Sequence, residues 1–511
     1  MLAWVLVGCG GDGAPGQGDG SSSSSGDDPS STSPPTTTTA PTSGPEPTSD
    51  TSGTDGGTDD TTTGEPMPPM VVGPCADDPA TPAGQTGTPT ALRTWTSGSG
   101  ISTMTIDGAG NRYVAGTFSA AITFDEMVFE PIADVGEDAT SSDSFVAALA
   151  PDGALLWLHH FHGDGFGVRP ITLVLDAGDF LYLGGEFASS LWIDDMERGN
   201  WPTTGRNAVI AKFTASNGEV RWIRPLTSTE NEAMFTGIVP TSSGNVIATV
   251  EWQNGLWSLN DTAAIASGGG TAWVGLDGNG AASWWMQGVW GEGTSWLGNA
   301  SMRATEGGAI ATFWTEAIEG MTTSVHVDGH DLSNPTRYTS YIVDIGDDGE
   351  VRTAEAFHTE GNVIIQDAIT APCGDLVAVG VWSGPADFGT GPIGSEGAFV
   401  WRRDPDGNTR WVAAEAGDHD FQRVAIDANG QVTVAGADGN IGRATRWSAA
   451  GEPLWNAVVD SGADFGYPNA VAIAPDGTAV LGGSFRALAI PGFDPVESTD
   501  PPGAYMIDLA P

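Results

Sequence analysis

Two phrases that alternate from residue 91 to the C-terminus predict an all-β chain. The fold they predict is a seven-bladed β-propeller of four-stranded antiparallel blades, preceded by a disordered N-terminal stalk. The first phrase is an apolar strand, a Gly turn, a second strand and Gly-x-aromatic. Gly110, Gly116 and Phe118 set its spacing; Gly374, Gly380 and Trp382 repeat it, as do Gly477, Gly483 and Phe485. Asp179, Gly185 and Phe187 vary the first position, and Gly244 and Trp252 keep the outer two. Gly430 and Gly436 precede Asp438, and Gly307, Gly308 and Trp314 fit with a one-residue shift. The second phrase is an apolar strand, a Gly turn and a Trp four positions beyond the Gly. It pairs Gly153 with Trp157, Gly218 with Trp222, Gly280 with Trp284, Gly407 with Trp411 and Gly451 with Trp455. A further copy, Tyr341 to Gly349, carries Thr353 where Trp is expected.

Residues 1–9 are apolar and end in Leu6-Val7-Gly8-Cys9. This resembles the bacterial lipobox, in which the Cys becomes lipidated and N-terminal after cleavage. The basic n-region of a signal peptide is missing, because no Lys or Arg precedes Arg93. The apolar segment is too short to span a bilayer. Residues 10–73 are Ser, Thr, Gly, Pro and Asp with no aromatic residue. Such a segment cannot bury enough apolar surface to offset its ordering entropy and is expected to be a disordered tether. As a flexible coil it spans roughly 45 Å. Residues 74–90 are read as an extended segment leading to a propeller over 91–511.

Each repeat then reads as four strands. The first is apolar (Thr103 to Ile106, Val471 to Ala474), and a tight turn leads to the second (Arg112 to Ala115, Val432 to Ala435). A variable loop leads to the third, and the fourth carries the Trp. Trp157, Trp222, Trp284, Trp411 and Trp455 are expected to fill the wedges between blades, each burying about 150–250 Å². The last repeat ends at Leu509 without room for a Trp strand. Trp95 is read as the missing Trp, four past a turn position. Residues 92–96 would then be the outer strand of the last blade and remove the open sheet edge.

Here the residues resemble a known family. The pattern Gly-Asn-x-Tyr-Val-x-Gly-x-Phe, followed by Phe-Val-Ala-x-Leu and the Gly and Trp of the second phrase, is similar to bacterial SBBP-type (seven-bladed β-propeller) repeats. That resemblance implies an extracellular protein or lipoprotein, and a scaffold with no common activity. Ala148, Leu149, Gly153 and Trp157 are also similar to the tryptophan-docking motif of quinoprotein propellers. Quinoprotein dehydrogenases commonly carry an adjacent Cys pair against the cofactor, whereas Cys9, Cys75 and Cys373 are far apart. A non-catalytic relative, the outer-membrane assembly lipoprotein, binds partner proteins.

Acidic residues number 65 against 18 basic ones, for a formal charge of −47, and Lys212 is the only lysine. A field of this sign opposes nucleic acid and anionic membranes. Asp277-Gly-Asn279 and Asp404-Pro-Asp406-Gly-Asn408 resemble the start of calcium loops but lack the distal Glu, and they also suit plain hairpin turns. His160 and His162, with Asp164 beyond, share a strand face. His358 occupies the position equivalent to His162, and His419 lies in a corresponding loop. They are candidate ligands for a transition metal; as polar surface residues they need no such role. His326 and His330 are read as loop. No nucleophile elbow or P-loop occurs.

The expected function is a monomeric cell-envelope lipoprotein, at the outer membrane or cell surface, with no cofactor. It is tethered to the membrane through its N-terminal lipid, and its propeller binds a protein or glycan. The alternative is a metal-dependent hydrolase or lyase using the His-bearing face. With Cys9 lipidated, Cys75 and Cys373 remain, in a compartment that permits disulfides. Sixteen residues separate Cys75 from Ala91, a reach of at most roughly 55 Å. The two are expected to pair and pin the stalk to the ring, for a chain-entropy gain of about 5 kcal/mol.

Overall fold

A computed structural model of the protein describes residues 85–511, apart from 96–97, 133–141, 164–167, 201–205, 229–232, 253–255, 260–261, 266–269, 288, 293, 318–322, 335, 358–359, 440, 462–467 and 499–501. Every regular element among the described residues is a β-strand. Seven sheets follow one another, each with four antiparallel strands at its centre. Blade 1 is Ser99–Ile106, Arg112–Phe118, Asp143–Leu149 and Leu155–His162. Blade 2 is Arg169–Leu175, Phe180–Phe187, Asn207–Thr214 and Val220–Ser228. Blade 3 is Ala233–Pro240, Val246–Trp252, Gly270–Leu276 and Ala282–Gln287. Blade 4 is Thr294–Thr305, Gly308–Ala317, Tyr338–Gly346 and Val351–Phe357. Blade 5 is Asn362–Thr370, Leu376–Ser383, Glu396–Arg403 and Thr409–Ala416. Blade 6, with the least sequence to build from, is complete: His419–Ile426, Val432–Asp438, Ile441–Trp447 and Pro453–Val459. Blade 7 takes Pro468–Ile473, Ala479–Phe485 and Gly503–Leu509, and its outer strand is the N-terminal Pro89–Trp95. The innermost strand of each blade touches that of the next, and blade 7 touches blade 1, so the ring is closed.

The burial of each strand follows its place in the blade. The third strands of blades 1 and 7 are buried at every position, as strands covered on both faces require. The outer strand Thr409–Ala416 has only half-buried and exposed residues. The apolar core lies between adjacent blades, as in the cluster joining Tyr182, Ala208 and Ile210 of blade 2 to Phe235, Ala248 and Val274 of blade 3.

The Gly of Gly-x-aromatic has a specific cause. Every innermost strand carries a β-bulge at the same height: between Ile101 and Thr103, Pro170 and Thr172, Phe235 and Gly237, Asn299 and Ser301, Ile365 and Asp367, Phe421 and Arg423, and Pro468 and Ala470. The bulge drives an inner-strand carbonyl against the facing Cα. A Cβ on Gly116 would meet the carbonyl of Gly100, on Gly380 that of Ile364, and on Gly436 that of Asp420. Blades 3 and 4 place Val250 and Phe313 opposite the bulge and depart from the rule.

The wedges are filled in one repeating way. Trp157 lies over Gly218 of the next blade and donates its indole N–H to the Ala215 carbonyl at 2.7 Å. Trp222 lies over Gly280 and donates to Gly278 at 3.0 Å. Trp284 lies over Gly349 and donates to Asp347 at 2.7 Å, and Trp411 lies over Gly451 and donates to Ala449 at 2.9 Å. Where Thr353 replaces Trp, Gly407 of the following blade has open space above it.

The seam between the termini corrects one expectation. Trp95 does sit in the outer strand of blade 7, but not in the docking position. The turn glycine is Gly87, at φ +58°, and Trp455 of blade 6 packs on it. Four residues past Gly87 is Ala91, so the folded region starts before Ala91, and Thr86 N–H donates to the Pro511 carbonyl at 2.7 Å. Trp95 lies at the other end of the strand, 8% exposed, with its ring centroid 5.3 Å from that of Phe124 of blade 1.

The variable loops between second and third strands carry short hairpins in most blades, and those of blades 2 and 3 pair with the outer strand of the preceding blade. Ser190–Ile193, with Met196–Asn200, extends blade 1 by pairing Trp192 with His162. Leu256–Leu259, with Thr262–Ile265, extends blade 2 in the same way. Thr323–Val327 and His330–Asn334 form a third hairpin, so His326 and His330 stand on strands rather than in a loop. These additions cover the outer edges that would otherwise be open to pairing.

Candidate functional site

The innermost strands of all seven blades enclose a cavity of about 360 Å³ on the ring axis. Its lining is set by the bulges, which turn Ser102, Ile171, Thr236, Gln366 and Asn469 toward the axis together with the residues beside them. The polar part of the wall belongs mainly to blades 4 to 7. Arg303 donates to both carboxylate oxygens of Asp367, at 2.9 and 3.0 Å. Asp367 is 1% exposed and also accepts the backbone N–H groups of Ala368 at 2.9 Å and Val424 at 3.0 Å. Arg423 donates from Nε to the Asn469 carbonyl at 3.0 Å and from Nη1 to the Gln422 carbonyl at 2.9 Å. The Ser102 hydroxyl and the Gln366 amide make no protein hydrogen bond among the described residues. Ile171 and Phe235 make part of the wall apolar.

Several of these groups also hold the ring together. The Leu173 N–H of blade 2 donates to Thr103 Oγ1 of blade 1 at 3.2 Å, and the Ala368 N–H of blade 5 donates to Ser301 Oγ of blade 4 at 3.0 Å. Asn469 Nδ2 of blade 7 donates to the Ile101 carbonyl of blade 1 at 3.3 Å. The lining is therefore fixed before any ligand arrives.

The histidines lie elsewhere. His159, two residues past Trp157, contacts the Gly218 carbonyl of blade 2 and lies 2.9 Å from an Asp194 oxygen. Arg93 and Arg224 reach the next blade's turn glycine from the same strand position. Burial works against a charged His159, but the Asp194 hydrogen bond and the Gly218 carbonyl raise its pKa overall. His160 Nε2 is 2.6 Å from Asp143, and His162 stacks on Trp192 with centroids 5.5 Å apart. His419 opens the inner strand of blade 6, not a loop, and lies 3.3 Å from Asp438. Asp164 and His358 lie outside the described residues. Among the described residues no three His, Cys, Asp or Glu side chains come together as a metal cluster. The Asp-rich turns are capped internally: Asp277 accepts the N–H groups of Asn279 and Ala281 at 2.9 and 2.8 Å, and Asp404 that of Asn408 at 2.8 Å.

Cys373 stands in the turn between the first two strands of blade 5. It is disulfide-bonded, and Arg402 Nη2 reaches its sulfur at 3.3 Å. Cys9 and Cys75 lie outside the described residues. Arg402 is buried with Asp375 at 2.8 Å, and Arg446 is paired with Asp427 at 2.6 Å. These pairs hold first-to-second-strand turns in place.

Arg303, Gln366, Asp367 and Arg423 did not stand out in the sequence. Their signal was a break in strand alternation, since a bulge shifts which residues face the axis, and a charge at an inner-strand position is the only visible trace.

No protein-family model and no curated protein matches the chain. Solved structures match at low identity. That of U3-55K is similar at 10% identity with a TM-score of 0.40, over 83% of this chain and 100% of that one. A structure of YCF48 bound to D1 peptide is similar at 10% identity and 0.35, over 84% and 99%. A europium-containing methanol dehydrogenase is similar at 9% identity and 0.35, over 82% and 93%. Similarities at this level carry no argument about activity.

Proposed function

We propose that the chain is a non-catalytic binding module of the cell envelope, related to SBBP-type repeat lipoproteins. In this reading Cys9 carries the lipid, residues 10–73 form the tether, and the propeller presents its central cavity to a ligand. The observation that carries the binding role is the wall of that cavity. Seven inner strands deliver polar groups to one small space, and several lack protein partners. The histidines support this reading over a hydrolase or lyase, since His159, His160 and His162 are each bound to structural neighbours.

Calorimetric titration of the purified propeller with a panel of glycan fragments and short peptides tests the binding role. The expected result is one ligand per ring, recovered chemically unchanged. Turnover of the ligand, or a stoichiometric transition metal lost on replacing His162, would move the protein to the enzyme class. Partitioning of the full-length product into the detergent phase, abolished by Cys9→Ser, is the expected sign of the lipid anchor.

A further inference from the structure

We propose that the central cavity binds a small monocarboxylate, held by the Arg423 guanidinium with the Gln366 amide beside it. This rests on the binding-module reading of the same cavity. The chain as a whole repels anions, with a formal charge of −47. The cavity reverses that sign locally, because its wall holds two guanidinium groups and one carboxylate. Arg303 is matched by Asp367, whose two oxygens both accept from Arg303 Nη2. Two backbone N–H groups complete the Asp367 acceptors and keep the pair fixed.

Arg423 has no carboxylate in contact with it among the described residues. Its hydrogen bonds are to two neutral carbonyls, and it forms no ion pair among the described residues. Those carbonyls hold Nε and Nη1 and so set the plane of the group. Nη2 is left with no protein hydrogen bond among the described residues. A planar, oriented guanidinium matches a carboxylate better than it matches a spherical ion. Asp420, on the same strand and half-buried, lies in the field of Arg423 without touching it: burial pushes its carboxyl up in pKa, and the Gln422 hydrogen bond and the Arg423 charge act against that rise.

The charge and size of the site select the ligand class. One guanidinium with its Nη2 open and no carboxylate in contact suits a monoanion, and Asp367 and Asp420 oppose a second negative charge on the ligand. The volume of about 360 Å³ is near the lower end for small-molecule sites, the size of one sugar acid or a small organic acid. Ile171 and Phe235 offer an apolar wall to the rest of such a molecule.

The test is titration at about pH 8.5 with acetate, lactate and glucuronate, with glucose as the neutral match to glucuronate and phosphate, there almost wholly the dianion, as the doubly charged control. At least one monocarboxylate is expected to bind one per ring, about tenfold or more tighter than glucose or phosphate. Arg423→Gln is expected to remove that preference, and Arg423→Lys to restore it in part. Gln366→Ala, which breaks no protein hydrogen bond, is expected to weaken the carboxylate severalfold while the melting temperature stays put; it serves if Arg423→Gln does not fold. Equal binding of glucuronate and glucose, or undiminished carboxylate binding in folded Arg423→Gln, would overturn the inference. Neutral glycans or peptides bound independently of Arg423 would leave the binding-module reading standing alone. No ligand of any class would defeat both.

Discussion

Replacing Thr353 with Trp should stabilise the ring. Five outer strands dock a Trp on the turn glycine of the next blade, and the blade 4 strand does not. Gly407 is left with open space where five of its counterparts carry an indole and Gly153 carries the Arg93 guanidinium. The Pro405 carbonyl, two residues before Gly407, stands where Gly278, Asp347 and Ala449 accept an indole N–H. Filling the slot would bury on the order of 100 Å² of added apolar surface, about 2.5 kcal/mol at 25 cal/mol per Å². Ordering the side chain costs on the order of 1 kcal/mol, which leaves a gain of about 1–2 kcal/mol. For a ring of this length that is a rise of about 1–2 °C in melting temperature. The counterpart is Trp222→Ala, at a ring 8% exposed, which should cost about 3–5 kcal/mol and lower the midpoint by about 4 °C. Scanning calorimetry measures both. A lower midpoint for Thr353→Trp would show that the slot is not open, and an unchanged midpoint for Trp222→Ala would show that docking does not hold the blades.

Gly436→Ala should destabilise by about 2 kcal/mol or more because its Cβ would meet the Asp420 carbonyl, whereas Gly108→Ala, with nothing within 4 Å, should stay within about 0.5 kcal/mol; denaturant midpoints check the contrast, and equal effects would reject the bulge explanation. Burial, and then the Glu186 carboxylate, push Glu251 from the usual 4.5 up to about 8. The folded state therefore holds a proton that the unfolded chain loses first, so this contribution is full below pH 4.5 and declines as pH rises to about 8. Glu251→Gln should flatten that slope and be more stable than the parent at pH 8; parallel stability profiles for the two proteins would contradict the assignment. A non-reduced digest should yield a peptide linking Cys75 to Cys373, and labelling of Cys75 as a free thiol would refute that pairing.

The architecture was legible in the sequence because its cause repeats. A turn glycine under a docked Trp, and a glycine facing a bulge, recur at fixed spacing, and that spacing gave the blade count and the closing strand. Trp95 misled because it follows the visible pattern of a Trp near a strand end. The true turn glycine, Gly87, lies in the stretch read as extended, and its docking position holds Ala91. The cavity was far less legible. His160 and His162 drew notice as metal ligands by type, yet Asp143 and Trp192 account for their placement. Arg423 and Asp367 are separated by 56 positions in the chain, and only the ring brings both to one wall. Convergence of residues from seven strands leaves no local spacing to read.

The central claim is that ligand enters the axial cavity, and Gln366→Trp tests it most directly. The indole would occupy the cavity while removing no protein hydrogen bond. With calorimetric titration of parent and variant against the same panel, the account predicts one-to-one binding to the parent and none to a variant that melts as the parent does. Undiminished binding to the plugged ring would place the site elsewhere and contradict it.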